Sequence, residues 1–145
     1  MSQVTFGRAI AAGAVGTAAI TVLMLGAPLM GMPKMPIGEM LGSFLHIGSA
    51  GGWAMHLVVG LMLALIYAAW FAVRLPGAPA VRGAIYGFGV FLVAQVVVTP
   101  MMGGGVFSGG HLPMIMGSLM GHLAYGALVG TVYGAGAREK ALSHV

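Results

Sequence analysis

The stretch GGWAMHLVVGLMLALIYAAWFAV, residues 51–73, decides the fold. It contains no Asp, Glu, Lys or Arg, and as an α-helix it is long enough to cross the ~30 Å hydrocarbon core of a bilayer. Three further apolar runs of similar length lie at residues 9–30, 83–102 and 113–136. The sequence therefore predicts an all-α membrane protein, a four-transmembrane-helix bundle that forms one membrane domain over residues 1–145.

The overall composition favours the same class. Of the 145 residues, 59% are hydrophobic and only 6% are charged, which is too little charge to cover the surface of a soluble domain. The six Lys and Arg outnumber the two acids, but they are scattered along the chain, so we expect no nucleic-acid partner. Cysteine is absent, which excludes disulfides and thiolate chemistry. Membrane lipid is thus the expected surrounding.

The cations give a prediction of topology. Arg8 precedes the first run, Arg74 and Arg82 lie between the second and third runs, and Arg138 and Lys140 follow the fourth. Cytoplasmic loops carry an excess of Lys and Arg in membrane proteins. The sequence therefore predicts that both termini and the middle loop face the cytoplasm.

The connections between the runs carry two further predictions. The segment 74–82 is short and contains proline, so we expect the second and third helices to be antiparallel neighbours. Within residues 37–47, apolar side chains recur at helical spacing after Pro36, which indicates a short helix lying in the membrane interface.

An internal repeat relates the two halves of the chain. His56-Leu-Val-Val-Gly60 aligns with His122-Leu-Ala-Tyr-Gly126, and the same offset places Tyr67 on Tyr133. Each half contains two spans, so the halves are expected to run parallel, related by an axis along the membrane normal. This pattern predicts two parallel helical-hairpin repeats that hold the two histidines at the same depth.

The two intramembrane histidines are the leading functional candidates, because ionisable residues inside spans are rare and usually face the bundle interior. One hypothesis is that His56 and His122 ligate haem b, with Gly60 and Gly126 leaving space beside the macrocycle. In the alternative, each imidazole only fastens the bundle through a hydrogen bond to a neighbouring helix.

Other polar side chains extend this interior. Gln95 and Thr99 are candidate partners of the histidines, and Tyr67 and Tyr133 lie about 16 Å deeper along the helices at 1.5 Å per residue. Together with the two histidines, Gln95 and Thr99 also suggest a polar path for a small-solute or ion carrier.

Methionine and histidine cluster near the ends of the runs opposite the arginines. Met101 and Met102 lie close in sequence to His111, and His46 follows the predicted interfacial helix. Thioether and imidazole groups suit Cu(I), so these four residues are the candidate metal ligands. Methionine is also an ordinary gap-filler in apolar packing, which is the competing interpretation.

Three motifs carry a resemblance to a known group. They are Trp53-Ala-Met-His-Leu57, Gln95-Val-Val-Val-Thr-Pro-Met-Met-Gly103 and Met116-Gly-Ser-Leu-Met-Gly-His122. In these motifs the chain resembles small four-span bacterial membrane proteins of unassigned function, loosely like the YagU group. The resemblance covers most of the chain and implies a bacterial inner-membrane location. It implies no reaction and no catalytic residue.

Short loops and the lack of a convergent catalytic set indicate a non-enzymatic role. We expect an accessory or structural subunit of a larger membrane assembly, bound to a membrane-protein partner or to further copies of itself. The alternatives are a haem b- or copper-binding protein for electron transfer or metal handling, and a small-solute or ion carrier.

Overall fold

The computed structural model describes the backbone of residues 5–142 and the side chains of residues 5–134. The side chains of Arg138 and Lys140, which entered the topology prediction, lie outside this part. The described residues form helices joined by short loops and contain no strand. Four of its helices are long and apolar enough to cross a membrane. The prediction of an all-α, four-span membrane fold is confirmed.

The four spans begin and end close to the residues expected from hydropathy: span 1 is Phe6–Met30, span 2 is Gly48–Phe71, span 3 is Pro79–Met101 and span 4 is Leu112–Gly134. Spans 1 and 3 start before their apolar runs and include Arg8 and Arg82. The reason is that backbone hydrogen bonding, unlike hydropathy, continues past a charged side chain, and Pro79 is a favoured first helical residue.

Spans 1, 2 and 3 each contain more than one helical segment, and two short segments lie in the loops between spans. In chain order the segments are α1 (Phe6–Gly26) with a 3₁₀ turn (Ala27–Met30), α2 (Ile37–Phe44), α3 (Gly48–Ile66) with a π-helical turn (Tyr67–Phe71), α4 (Pro79–Val93) with a π-helical turn (Ala94–Val98), α5 (Thr99–Met101), a 3₁₀ turn (Val106–Gly110) and α6 (Leu112–Leu142). We call the end of the bundle that carries Arg8, Arg74 and Arg82 the arginine end, and the opposite end the loop end.

The spans pack in an order that differs from their order in the chain. Helix α1 packs against both α3 and α6, and α6 packs against α4. Spans 2 and 3 meet mainly through the turn Tyr67–Phe71 at the arginine end, so the prediction that they are neighbours holds only there. The short helix α2 packs on α3 at the loop end, where Gly38 lies against the Trp53 ring.

Aromatic side chains hold the arginine end together. Tyr67 is 1% exposed, and its ring lies 5.3 Å from the Tyr86 ring and 6.2 Å from the Tyr133 ring. The Tyr86 hydroxyl donates to the carbonyl oxygen of Leu63 at 2.8 Å. The guanidinium of Arg8 lies over the Tyr133 ring and donates to the Tyr133 carbonyl. All four spans are thereby joined at this end.

Candidate functional site in the membrane interior

Glycines bring spans 3 and 4 into close contact. A Cβ atom on Gly126 would overlap the carbonyl oxygen of Gly83 and lie 2.8 Å from Gly87 Cα. One turn further on, a Cβ on Gly130 would lie 2.9 Å from Gly83 Cα. Small residues of this kind let helix backbones touch inside a membrane. This hairpin is therefore packed backbone against backbone.

A chain of polar side chains runs along the same pair of spans from the loop end inward. The Ser108 hydroxyl donates to Gln95 Oε1 at 3.0 Å, and Gln95 Nε2 donates to Ser118 Oγ at 2.9 Å. His122 Nδ1 lies 2.7 Å from the Ser118 carbonyl oxygen, which can only accept, so this nitrogen carries the proton. We call Ser108, Gln95, Ser118 and His122 the polar chain.

Local backbone geometry positions Gln95 and Ser108, the two members of the polar chain nearest the loop end. Gln95 is 2% exposed and lies in the π-helical turn Ala94–Val98. Pro100 has no N–H to donate to the preceding turn, which accounts for a widened turn at this place. On the other side, Phe107 and Ser108 have positive φ values of 46° and 52°. A backbone conformation with positive φ costs free energy in residues other than glycine. Here it occurs at the residue whose hydroxyl donates to Gln95.

The histidine of the first hairpin has different surroundings. His56 Nε2 is buried and has no hydrogen-bond partner. Its imidazole ring lies 6.0 Å from the Trp53 ring, edge to face. Nearby in span 1, Thr17 is 4% exposed and its hydroxyl oxygen also lacks a partner. An unpaired buried polar group costs ~1–3 kcal/mol, so two in one place need an explanation.

Both unpaired residues line the same depression in the protein surface. This groove, which we call the lateral groove, has a volume of about 370 Å³ and runs between spans 1 and 2. It is lined by Thr17 and Thr21 of span 1 and by Trp53, His56 and Leu57 of span 2, among others. The groove holds no charged residue and no acid.

The two glycines that were assigned to a haem site serve separate helix contacts. A Cβ on Gly60 would overlap the hydroxyl oxygen of Thr17 in span 1, whereas Gly126 faces the backbone of span 3. The Tyr125 hydroxyl also donates to the Gly60 carbonyl oxygen. The space beside both glycines is thus filled by neighbouring helices, and the packing does not favour a macrocycle there. Haem ligation by His56 and His122 stays a prediction.

The candidate metal ligands at the loop end are only partly brought together. Met101 and Met102 line an open groove of about 520 Å³ together with Glu39 and Met40 of α2. His46 and His111 are exposed and do not line it. Among the described residues no three His, Cys, Asp or Glu side chains are grouped to hold a metal ion. A copper site formed by these methionines and histidines stays a prediction.

The remaining predicted interior residues fall into two places. Tyr67 and Tyr133 meet at the arginine end, about 16 Å along their helices from the histidines at 1.5 Å per residue. Thr99 begins α5, and its carbonyl oxygen accepts from the Gly104 backbone N–H at 2.9 Å. Gln95 bonds to the two serines rather than to a histidine ring.

Sequence reasoning missed two residues that the structure makes prominent. Thr17 faces Gly60 across spans 1 and 2, and Tyr125 bonds to the Gly60 carbonyl from span 4. Both residues have a hydroxyl group inside an otherwise apolar run, and this could have marked them, because such groups often form hydrogen bonds to other helices in a membrane.

The fold and the buried polar groups define a small multi-pass membrane protein with a hydrogen-bonded interior. The chain belongs to DUF6789, described as a family of unknown function, whose profile matches residues 3–144. No curated protein and no solved structure matches the chain. This family membership agrees with the predicted resemblance to proteins of unassigned function. The YagU-like resemblance and the bacterial origin stay predictions.

Proposed function

We propose that this protein is a non-catalytic accessory or structural subunit of a larger membrane assembly. The observation that carries the proposal is the polar chain. Gln95 uses both ends of its amide on Ser108 and Ser118, and so fastens span 3 to span 4 and to the loop, while His122 bonds within its own helix. Polar groups used in this way stabilise a scaffold rather than meet a substrate.

The outer surface of the bundle agrees with such a role. Large apolar side chains such as Val22, Phe88 and Val97 are 69%, 46% and 48% exposed, and they lie on three different segments. A subunit inside a membrane assembly needs apolar surface that either lipid or a partner helix can cover. The partner in this proposal is a membrane protein or a second copy of this chain.

Purification from its own membrane in a mild detergent tests the proposal. We expect the tagged chain to elute with another membrane protein at a fixed ratio, or as a homo-oligomer of fixed size. Mass spectrometry identifies the species. A chain that elutes as a monomer from native membranes, with no companion at constant ratio, would contradict it.

The proposal includes a location, the bacterial inner membrane with both termini in the cytoplasm. The orientation is supported by Arg8, Arg74 and Arg82, which lie at one end of the described bundle, as the positive-inside rule requires of a cytoplasmic side. Reporter tags at both termini and in the segment 74–82 should all report the cytoplasm. Tags that divide between the two sides would overturn this topology.

A second candidate function, transport of a small solute or ion, is favoured by one observation. The polar chain is continuous from Ser108 at the loop end to His122 inside span 4, with Ser118 between Gln95 and His122. Liposomes that contain only this protein would distinguish the candidates. Uptake that is lost in Gln95→Leu supports a carrier, and inert liposomes support the subunit.

A further inference from the structure

The lateral groove between spans 1 and 2 has the chemistry of a binding site. We propose that it binds a neutral, lipid-soluble carbonyl compound of the quinone class, whose carbonyl oxygen accepts hydrogen bonds from the His56 imidazole and the Thr17 hydroxyl. This inference is independent of the proposed subunit role, because it concerns spans 1 and 2 rather than the polar chain.

The unpaired polar atoms are the first argument. His56 Nε2 and Thr17 Oγ1 are buried without partners, and both residues line one groove. In the second hairpin the corresponding histidine, His122, is hydrogen-bonded. A hydroxyl group and a neutral imidazole can both donate, so a carbonyl compound in the groove can satisfy both. Since the terminal torsion of an imidazole is broad, a small rotation presents a ring nitrogen to the groove.

The depth of the groove selects the ligand. The middle of span 2 lies between Val59 and Gly60, so His56 is only ~5 Å from it along the helix axis. Phospholipid carbonyl groups stay at the edge of the ~30 Å hydrocarbon core, about 15 Å from its middle. With the middle of span 2 placed at the middle of the bilayer, a ligand at His56 carries its polar group into hydrocarbon, which a neutral quinone ring does and a phospholipid headgroup does not.

The lining of the groove agrees with a neutral ring. Its volume of about 370 Å³ is within the ~300–1,000 Å³ usual for small-molecule sites. Trp53 supplies an aromatic wall next to His56, and no charged side chain lines the groove to attract an ion. Aromatic rings pack well against each other in offset or edge-on geometry.

Tryptophan fluorescence offers a direct test, because the chain has two tryptophans and only Trp53 lines the groove. Trp70 lies in the turn Tyr67–Phe71, about 26 Å further along span 2 at 1.5 Å per residue. The probe is decylubiquinone, added to the protein in phosphatidylcholine nanodiscs. In a Trp70→Phe background we expect saturable quenching of Trp53. In a Trp53→Phe background we expect weak, linear quenching of Trp70, which reports partition into lipid.

Two variants identify the hydrogen-bond donors. His56→Phe keeps an aromatic ring without nitrogen and should weaken binding about tenfold, the equivalent of ~1.4 kcal/mol. Thr17→Val keeps the shape and removes only the hydroxyl, and should weaken binding about threefold. His122→Leu is the matched control, because His122 does not line the groove, and it should leave the affinity unchanged. Circular dichroism checks that each variant is folded.

Three results would overturn the proposal. Equal, linear quenching of both tryptophans would mean that the quinone only partitions into lipid. An affinity that does not change in folded His56→Phe and Thr17→Val would remove the proposed donors. Native mass spectrometry that finds a phospholipid held at a fixed ratio, and lost in His56→Phe, would assign the groove to a different ligand.

Discussion

The two helical hairpins share a sequence pattern and differ in how they use it. In the second hairpin, Gly126 packs on the span 3 backbone and His122 is hydrogen-bonded to Ser118. In the first, Gly60 packs on the Thr17 side chain, and His56 Nε2 has no partner. The second hairpin, with backbone packing and a hydrogen-bonded histidine, is called the closed hairpin below. The first hairpin, with the lateral groove and an unpaired histidine nitrogen, is called the open hairpin.

The difference has a physical cause in what each glycine meets. Gly83 and Gly87 let span 3 come within backbone distance of span 4, so these two helices pack backbone against backbone. Span 1 presents the Thr17 side chain to Gly60 at the matching crossing, and one turn away Gly13 meets the span 2 backbone at Leu61. The lateral groove and its unpaired polar atoms lie beside the Thr17 contact. We therefore expect a ligand to bind at the first hairpin, and we expect substitutions in the second hairpin to reduce the free energy of unfolding more.

The largest expected effect comes from disturbing the closed hairpin. Gly126→Ala adds a methyl group against the Gly83 carbonyl and the Gly87 backbone, neither of which can move aside like a side chain. We expect the free energy of unfolding to fall by about 3 kcal/mol, measured by SDS titration of helicity in micelles. The control is Gly89→Ala, where a Cβ has nothing within 4 Å. Equal losses in both variants would show that close backbone contact does not explain the effect.

The polar chain should matter next. Gln95→Leu removes the hydrogen bonds to Ser108 and Ser118 and leaves both serines without this partner. We expect a loss of about 2 kcal/mol in the same titration. Combined with Ser118→Ala, the loss should be smaller than the sum of the two single losses, because both changes break one bond. Additive losses would indicate that the Gln95–Ser118 bond carries no free energy.

A substitution in the open hairpin should cost less stability, and a second substitution should recover part of the loss. Gly60→Ala brings a methyl group onto the Thr17 hydroxyl, and we expect a loss of about 1.5 kcal/mol. The second change Thr17→Ala removes that hydroxyl and should recover part of the stability. No recovery in the double variant would place the clash elsewhere than at Thr17.

The smallest expected effect is the difference in stability between variants of the two histidines. His122→Leu removes a hydrogen-bonded imidazole and should cost about 1 kcal/mol. His56→Leu removes a ring whose buried nitrogen has no partner, so stability should stay the same or rise by up to about 1 kcal/mol. SDS titration of both variants in parallel measures the contrast. Equal losses would mean that the two hairpins use their histidines in the same way.

Much of the fold was predictable, because length and hydropathy alone set how a chain crosses a bilayer. Each of the four apolar runs corresponds to a helix able to span a membrane. The candidate site was predictable only in part. The sequence predicts Gln95 and His122 inside the bundle, but it does not predict their link through Ser118 or the π-helical turn from which Gln95 makes it. No hydropathy pattern reports such a turn.

The sequence by itself determined the class of protein, since the free energy of placing apolar helices in lipid depends on composition and length rather than on neighbours. Only the tertiary structure decided which spans touch, which glycine meets backbone and which meets Thr17, and which histidine is left unpaired. All apolar faces look alike to hydropathy, whereas packing between helices is set by small differences in shape at each crossing. The two hairpins therefore share a His-Leu-x-x-Gly pattern and differ in the contacts that these residues make.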